Sequence, residues 1–181
     1  MTHAPELEQG VRQWAAERRY RHALVERWLR LDAADARALL GLAIELRLGE
    51  NQLRDVWDCA EDVAARDRSS LAAVLTGPPL TRARRRAEGR SDRLKAIKAA
   101  LRRLRYPQLV ATEERLAELV QQLALPRSVR VTLPDCLEGD TLRVDIVVDS
   151  AAALAAAAAA LHAAATRPEC TAIFTLLEEA P

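Results

Sequence analysis

Apolar residues recur at helical spacing through most of this chain, and only between Val129 and Val148 does the spacing fall to two. A helix repeats its faces every 3.6 residues and a strand every two, so this switch bounds the fold class. The chain reads as mostly α with a small α+β C-terminal part. Val129, Val131 and Leu133 alternate with Arg130 and Thr132, and Leu142, Val144, Ile146 and Val148 alternate with Arg143, Asp145 and Val147. The pattern predicts two strands, each with one buried face, joined as a hairpin by PDCLEGD.

The helical stretches can be placed by their stripes and caps. Trp14, Val25, Trp28 and Leu29 carry one apolar run from Glu6 to about Leu31. Asp32 is placed to cap a second helix, with Asp35 favouring its positive N-terminal end, and Leu39, Leu40, Ala43 and Leu46 form its apolar face. A third helix, residues 52–66, buries Leu53, Val56, Trp57, Ala60 and Val63. Ser69 or Ser70 caps a short turn that Gly77-Pro78-Pro79 stops. Ser91 is placed to cap a helix with a leucine/isoleucine stripe, and Pro107 ends it before a partner helix over residues 108–123. Ser150 caps a run in which 12 of the 15 residues from Ala151 to Ala165 are alanine, the best helix former. Thr166 with Glu169 reads as a capping box for a last short helix, residues 170–177, with a third strand as the alternative.

Charge divides the chain further. Its 27 basic and 26 acidic residues give a net +1, yet residues 82–105 alone hold 11 basic and two acidic residues. The flanking segments are acidic, so the segmentation carries more than the total. Residues 82–90 lack a clear period and contain Gly89, which predicts a loop or linker. Beyond them, Leu94, Ile97, Leu101 and Leu104 make one stripe, and Lys95, Lys98, Arg102 and Arg105 make a second beside it. The expected organisation is a helical domain over residues 1–78, a basic linker over 79–90, and an α+β domain over 91–181. In the last of these, a helical hairpin and the alanine helix would cover the sheet. A two-stranded sheet is marginal alone, which predicts a homodimer through this part.

LAIELRLGENQLRDV, Leu42 to Val56, places a small residue and apolar anchors (Ala43, Leu46, Leu48, Leu53 and Val56) around a turn. It resembles the helix-turn-helix of DNA-binding domains, departing from that pattern where Arg47 replaces the usual turn glycine. The resemblance implies that Asn51, Gln52 and Arg54 read base edges from the first turn of the second helix. The same helix carries Asp55, Asp58, Glu61, Asp62 and Asp67, whose charge opposes that of phosphates. A plain helical hairpin uses the same packing.

Arginine's planar fork suits phosphate, and Arg84, Arg85, Arg86, Lys95, Lys98, Arg102 and Arg105 are the candidate anion contacts. Four phosphate contacts would give a log–log salt slope of roughly −3.6. The competing reading pairs the basic stripe with the protein's own carboxylates. The partner is therefore nucleic acid, DNA before RNA, or an acidic protein surface.

Catalysis has little to work with. His3, His22 and His162 have no partner at ligand or triad spacing, and the six glycines form no phosphate loop. Glu138, Asp140, Asp145 and Asp149 would suit Mg²⁺ or Ca²⁺, or serve as a turn and a wet strand face. Cys59, Cys136 and Cys170 read as small buried apolar residues of a reduced, cytoplasmic chain. The 15-residue alanine run is too short for a membrane span. The expectation is a non-enzymatic accessory protein that binds nucleic acid, or else an adaptor, with no metal or cofactor.

Overall fold

The computed structural model describes residues 5–134, 137 and 139–179. Its elements, in chain order, are α1 (Pro5–Glu17), α2 (His22–Leu29), α3 (Ala33–Glu45), α4 (Glu50–Asp67), α5 (Leu71–Thr76), α6 (Pro78–Arg86), α7 (Arg90–Arg105), α8 (Pro107–Gln122), β1 (Val129–Thr132), β2 (Arg143–Ile146), α9 (Ala151–Ala165) and α10 (Pro168–Glu178). The chain is mostly α with a small antiparallel hairpin in its C-terminal part. It divides into two compact units, Met1–Arg105 and Tyr106–Pro181.

The first unit is built on two tryptophans. Trp28 and Trp57 are fully buried, with ring centroids 6.2 Å apart and planes tilted by 59°. The Trp28 indole N–H donates to the Ala36 carbonyl, so this large apolar group also fixes the start of α3. Leu39, Leu42, Leu46, Leu48, Leu53 and Leu75 complete the core around the pair. Asp32 caps α3 by accepting from the N–H groups of Ala34 and Asp35. The Asp35 carboxylate reaches out of α3 and accepts from Ala72 N–H at 2.6 Å, in the first turn of α5. One carboxylate from α3 thus satisfies an orphan donor at the start of another helix.

Several expectations about chain organisation are corrected. The run over residues 6–31 is two helices, because Arg19 takes a left-handed conformation (φ 56°) and turns Tyr20 inward, where its hydroxyl donates to Leu48 O at 2.7 Å. The expected linker over 79–90 is largely the helix α6. Gly77-Pro78-Pro79 stops α5 and starts α6 in one corner, since proline at the first helical positions gives up an N–H that has no partner there anyway. A β-carbon on Gly77 would lie 2.8 Å from Ala73 O, so the corner admits only glycine. Leu80 anchors α6 with no exposed surface, one apolar side chain among arginines and too sparse to show a period. Next, α7 belongs to the first unit and not to a domain over 91–181, because Ile97 and Leu101 are buried in the same core as the tryptophans. It also begins at Arg90, ahead of the Ser91 cap.

The second unit differs too. There α8 packs on α10 through Leu116, Leu119, Ile173 and Leu177. Thr166 closes α9 by donating to Ala163 O, and Arg167 takes the N-cap position of α10, so the Thr166–Glu169 box does not form. Ser150 does cap α9, accepting from Ala153 N–H. That helix buries only Ala157 and Ala164 among its described residues and packs on α10. Val129 is buried, but Val144 and Ile146 on β2 are 42% and 39% exposed, so the second strand lacks its buried face.

All three tryptophans lie in the first unit. Leu101→Ala removes a fully buried side chain there and should cost about 2–5 kcal/mol. The check is the urea midpoint of tryptophan fluorescence. An unshifted midpoint would return α7 to the second unit. Burial pushes the Tyr20 hydroxyl above its ordinary pKa. Above about pH 10 the unfolded chain therefore releases a proton that the folded chain keeps, and stability falls as pH rises. Tyr20→Phe should flatten that slope while losing about 0.5–1.5 kcal/mol at neutral pH, read by denaturant titration on both sides of the transition.

Candidate functional site

Nine net positive charges over residues 82–105 make this segment the candidate site, and its two helices treat those charges differently. The apolar stripe of α7 lies against α4, and the helices run in the same direction. Lys98 Nζ meets Asp55 Oδ2 at 2.9 Å, and one heptad further along both helices Arg105 pairs with Asp62. The Arg66 guanidinium, also on α4, donates to Leu104 O at 2.6 Å and to Arg105 O, closing the last turn of α7 where the helix dipole is negative. Two acidic residues of α4, Asp55 and Asp62, therefore face the basic stripe. Those on its other flank, Asp58 and Glu61, hold Arg27 of α2 at 2.7 and 2.6 Å, while the Arg27 guanidinium stacks 4.2 Å from the Trp57 ring centre. These are half-exposed pairs, each contributing about 0–1 kcal/mol. Their larger effect is electrostatic, since each carboxylate cancels the field of the cation beside it.

The seven candidate anion contacts do not act together. Lys98 and Arg105 are paired with α4. Arg84 is half-buried, with one guanidinium nitrogen 2.8 Å from Leu75 O and another 3.6 Å from Glu45. Lys95 lies 3.9 Å from Asp92 on the exposed side of α7, and Arg102 is half-buried beside the stripe. Arg85 and Arg86 are exposed in the last turn of α6 and, like Arg82, have no ion-pair or hydrogen-bond partner among the described residues.

Sequence reasoning missed Arg82, Arg103 and the groove they share. Between α6 and α7 lies an open cleft of about 430 Å³, floored by Ala83, Ala96, Ala99 and Ala100 and rimmed by Arg82, Arg86 and Arg103. Alanine at four facing positions keeps the helix backbones near the surface. Arg82 and Arg86, one turn apart, stand along one wall. The signal was present as Arg82/Arg86 spacing opposite A-x-x-A-A, but it has meaning only if residues 78–86 form a helix.

At the turn between α3 and α4, Arg47 is left-handed (φ 46°), and Ala43, Leu46, Leu48, Leu53 and Val56 are all buried. Of the three base-reading candidates, Gln52 accepts from Gly49 N–H and Arg54 pairs with Glu50 at 2.8 Å, so both serve the start of α4 itself. Asn51 alone stays exposed with no such bond.

Other chemistries are thinly supplied. Burial pushes the Cys59 thiol up, against a lowering influence from Arg105, and a thiol held protonated is a weak nucleophile. Among the described residues no three His, Cys, Asp or Glu side chains converge as a metal site. Asp145 of the hairpin group is held by Arg143 at 3.0 Å, while Glu138, Cys136 and His3 lie outside the described residues. No described helix is long and apolar enough to cross a membrane. No family model, curated protein or solved structure matches the chain.

If α4 neutralises the α7 stripe, Asp55→Asn with Asp62→Asn should leave the charges of Lys98 and Arg105 uncancelled by α4. Retention on heparin should then extend to higher salt, with polyanion affinity rising about three- to tenfold at low ionic strength. Unchanged elution would mean that the pairing does not control the surface field.

Proposed function

We propose that the chain is a non-enzymatic adaptor whose first unit receives an acidic, helical segment of a partner protein in the α6–α7 groove. The observation that supports this most directly is the pairing of Lys98 and Arg105 with Asp55 and Asp62. An extended basic stripe suits a chain of phosphates. Once it is neutralised, the cations without a partner among the described residues include Arg82, Arg85 and Arg86, gathered on one short helix beside a shaped, alanine-floored cleft. Small residues let a second backbone come close, and arginines on the rim meet carboxylates with paired hydrogen bonds. The helix-turn-helix-like pair α3–α4 then acts as scaffold, and α4 supplies the counter-charge. Cys59 and Cys170 are free thiols, which suits a reducing, cytoplasmic setting.

Nucleic acid is the second reading, favoured by the exposed arginine forks at the end of α6. Three phosphate contacts would give a salt slope of roughly −2.7 on duplex DNA, shallower than four would.

The two readings separate in a fluorescence-anisotropy assay at low salt. The full chain is titrated into a labelled amphipathic peptide with glutamates along one helical face, and into duplex DNA and RNA of matched charge. Tighter binding to the peptide is expected, weakened at least about tenfold by Arg82→Glu with Arg86→Glu. Ala99→Trp, which fills the groove without altering charge, should weaken it comparably. Tighter binding to nucleic acid that tolerates Ala99→Trp would replace the adaptor reading, and binding to neither would remove both.

A further inference from the structure

The second unit carries an edge that its own residues leave open. Val147 N–H donates to Ser128 O, and the register pairs Arg130 with Asp145 and Thr132 with Arg143. In an antiparallel ladder, alternate residues of a strand turn their backbone groups to the same side. Arg143, Asp145 and Val147 therefore address β1, while Leu142, Val144 and Ile146 turn their N–H and C=O groups to the outer edge of β2. Among the described residues the sheet has no third strand. Val144 and Ile146 lie on the apolar face, and both are more than a third exposed.

We propose that a second copy of this chain occupies that edge, β2 pairing antiparallel with β2 about a two-fold axis at Val144. Charge selects the occupant and the register together. Outward-turned residues must face outward-turned residues, which limits how two copies can align. With Val144 opposite its own counterpart, Leu142 faces Ile146 of the second copy, and Arg143 faces Asp145 of the second copy twice over. Sliding to the nearest allowed register in one direction sets Arg143 against Arg143, and in the other sets Asp145 against Asp145. Opposite charges directly across a ladder attract and like charges repel, so the strand favours one alignment and resists slipping to its neighbours. The product is a four-stranded sheet, β1-β2-β2-β1, with Val129, Val131, Val144 and Ile146 of both copies continuous on one face. An isologous pair of this kind closes on itself and leaves no growing edge at β2. The inference does not rest on the adaptor reading, since it uses neither the groove nor the basic helices.

The test is sedimentation velocity of the full chain over a hundredfold range of micromolar concentration. A dimer is expected for the native sequence. Val144→Pro removes an N–H that the β1–β2 ladder does not use, so it should give a monomer with unchanged circular dichroism. Arg143→Asp and Asp145→Arg should each weaken self-association about tenfold or more. An equimolar mixture of the two variants should recover dimer, because one now carries two aspartates and the other two arginines in the facing positions. A native chain that stays monomeric throughout overturns the proposal. So does a dimer that survives Val144→Pro, or a failure of the two charge variants to pair with each other.

Discussion

The contact on which most of the first unit depends is the parallel packing of α7 against α4. Ile97 and Leu101 enter a core organised by Trp28 and Trp57, and two ion pairs a heptad apart flank the seam. Burial of the leucine and isoleucine supplies the free energy, because exposed pairs are individually weak. The pairs decide something else, namely which cations remain available to a partner. By drawing two positive charges of α7 onto two negative charges of α4, this packing weakens the field of the α7 stripe, while Arg82, Arg85 and Arg86 of α6 keep no partner among the described residues.

The overall class was legible because period is a strong signal. The change from 3.6 to two between Leu123 and Val129 located the only strands described, and caps at Asp32, Ser70 and Ser150 form as their side-chain chemistry requires. What failed to show in the sequence depended on partners far along the chain. Arg19 and Arg47 take left-handed conformations that nothing in their side chains advertises, and Tyr20 and the α3–α4 packing impose them. Helix α6 has one buried leucine for an apolar face, so its helicity follows from the corner at Gly77 and from Leu80 in a core assembled by other helices. The domain boundary was misplaced for the same reason: a leucine stripe says that a helix buries a face, without saying against what. The candidate site fared similarly. Residues could be listed by type, but pairing with Asp55 and Asp62 is a property of the α4–α7 register and has no local signature.

The two units reach stability by different means. The first has aromatic anchors and many fully buried large side chains. The second relies on leucines of α8 meeting α10, plus an alanine helix that buries just two of its methyl groups in the described structure. Alanine contributes helix propensity and little transferable apolar area, so α9 is stable as a helix without contributing much as a wall.

The Asp35 carboxylate bears on where the arginine surface sits. Helix α5 has six residues, too few to persist alone in water, and its first turn is met by Asp35 from α3. Through the Gly77 corner, α6 starts where α5 ends. The exposed Arg82, Arg85 and Arg86 are thus held in place through a chain of contacts that runs from α3 through one carboxylate to α5 and α6. Damage at position 35 would reach the cationic surface with no contact to any arginine, as a displacement without any loss of charge.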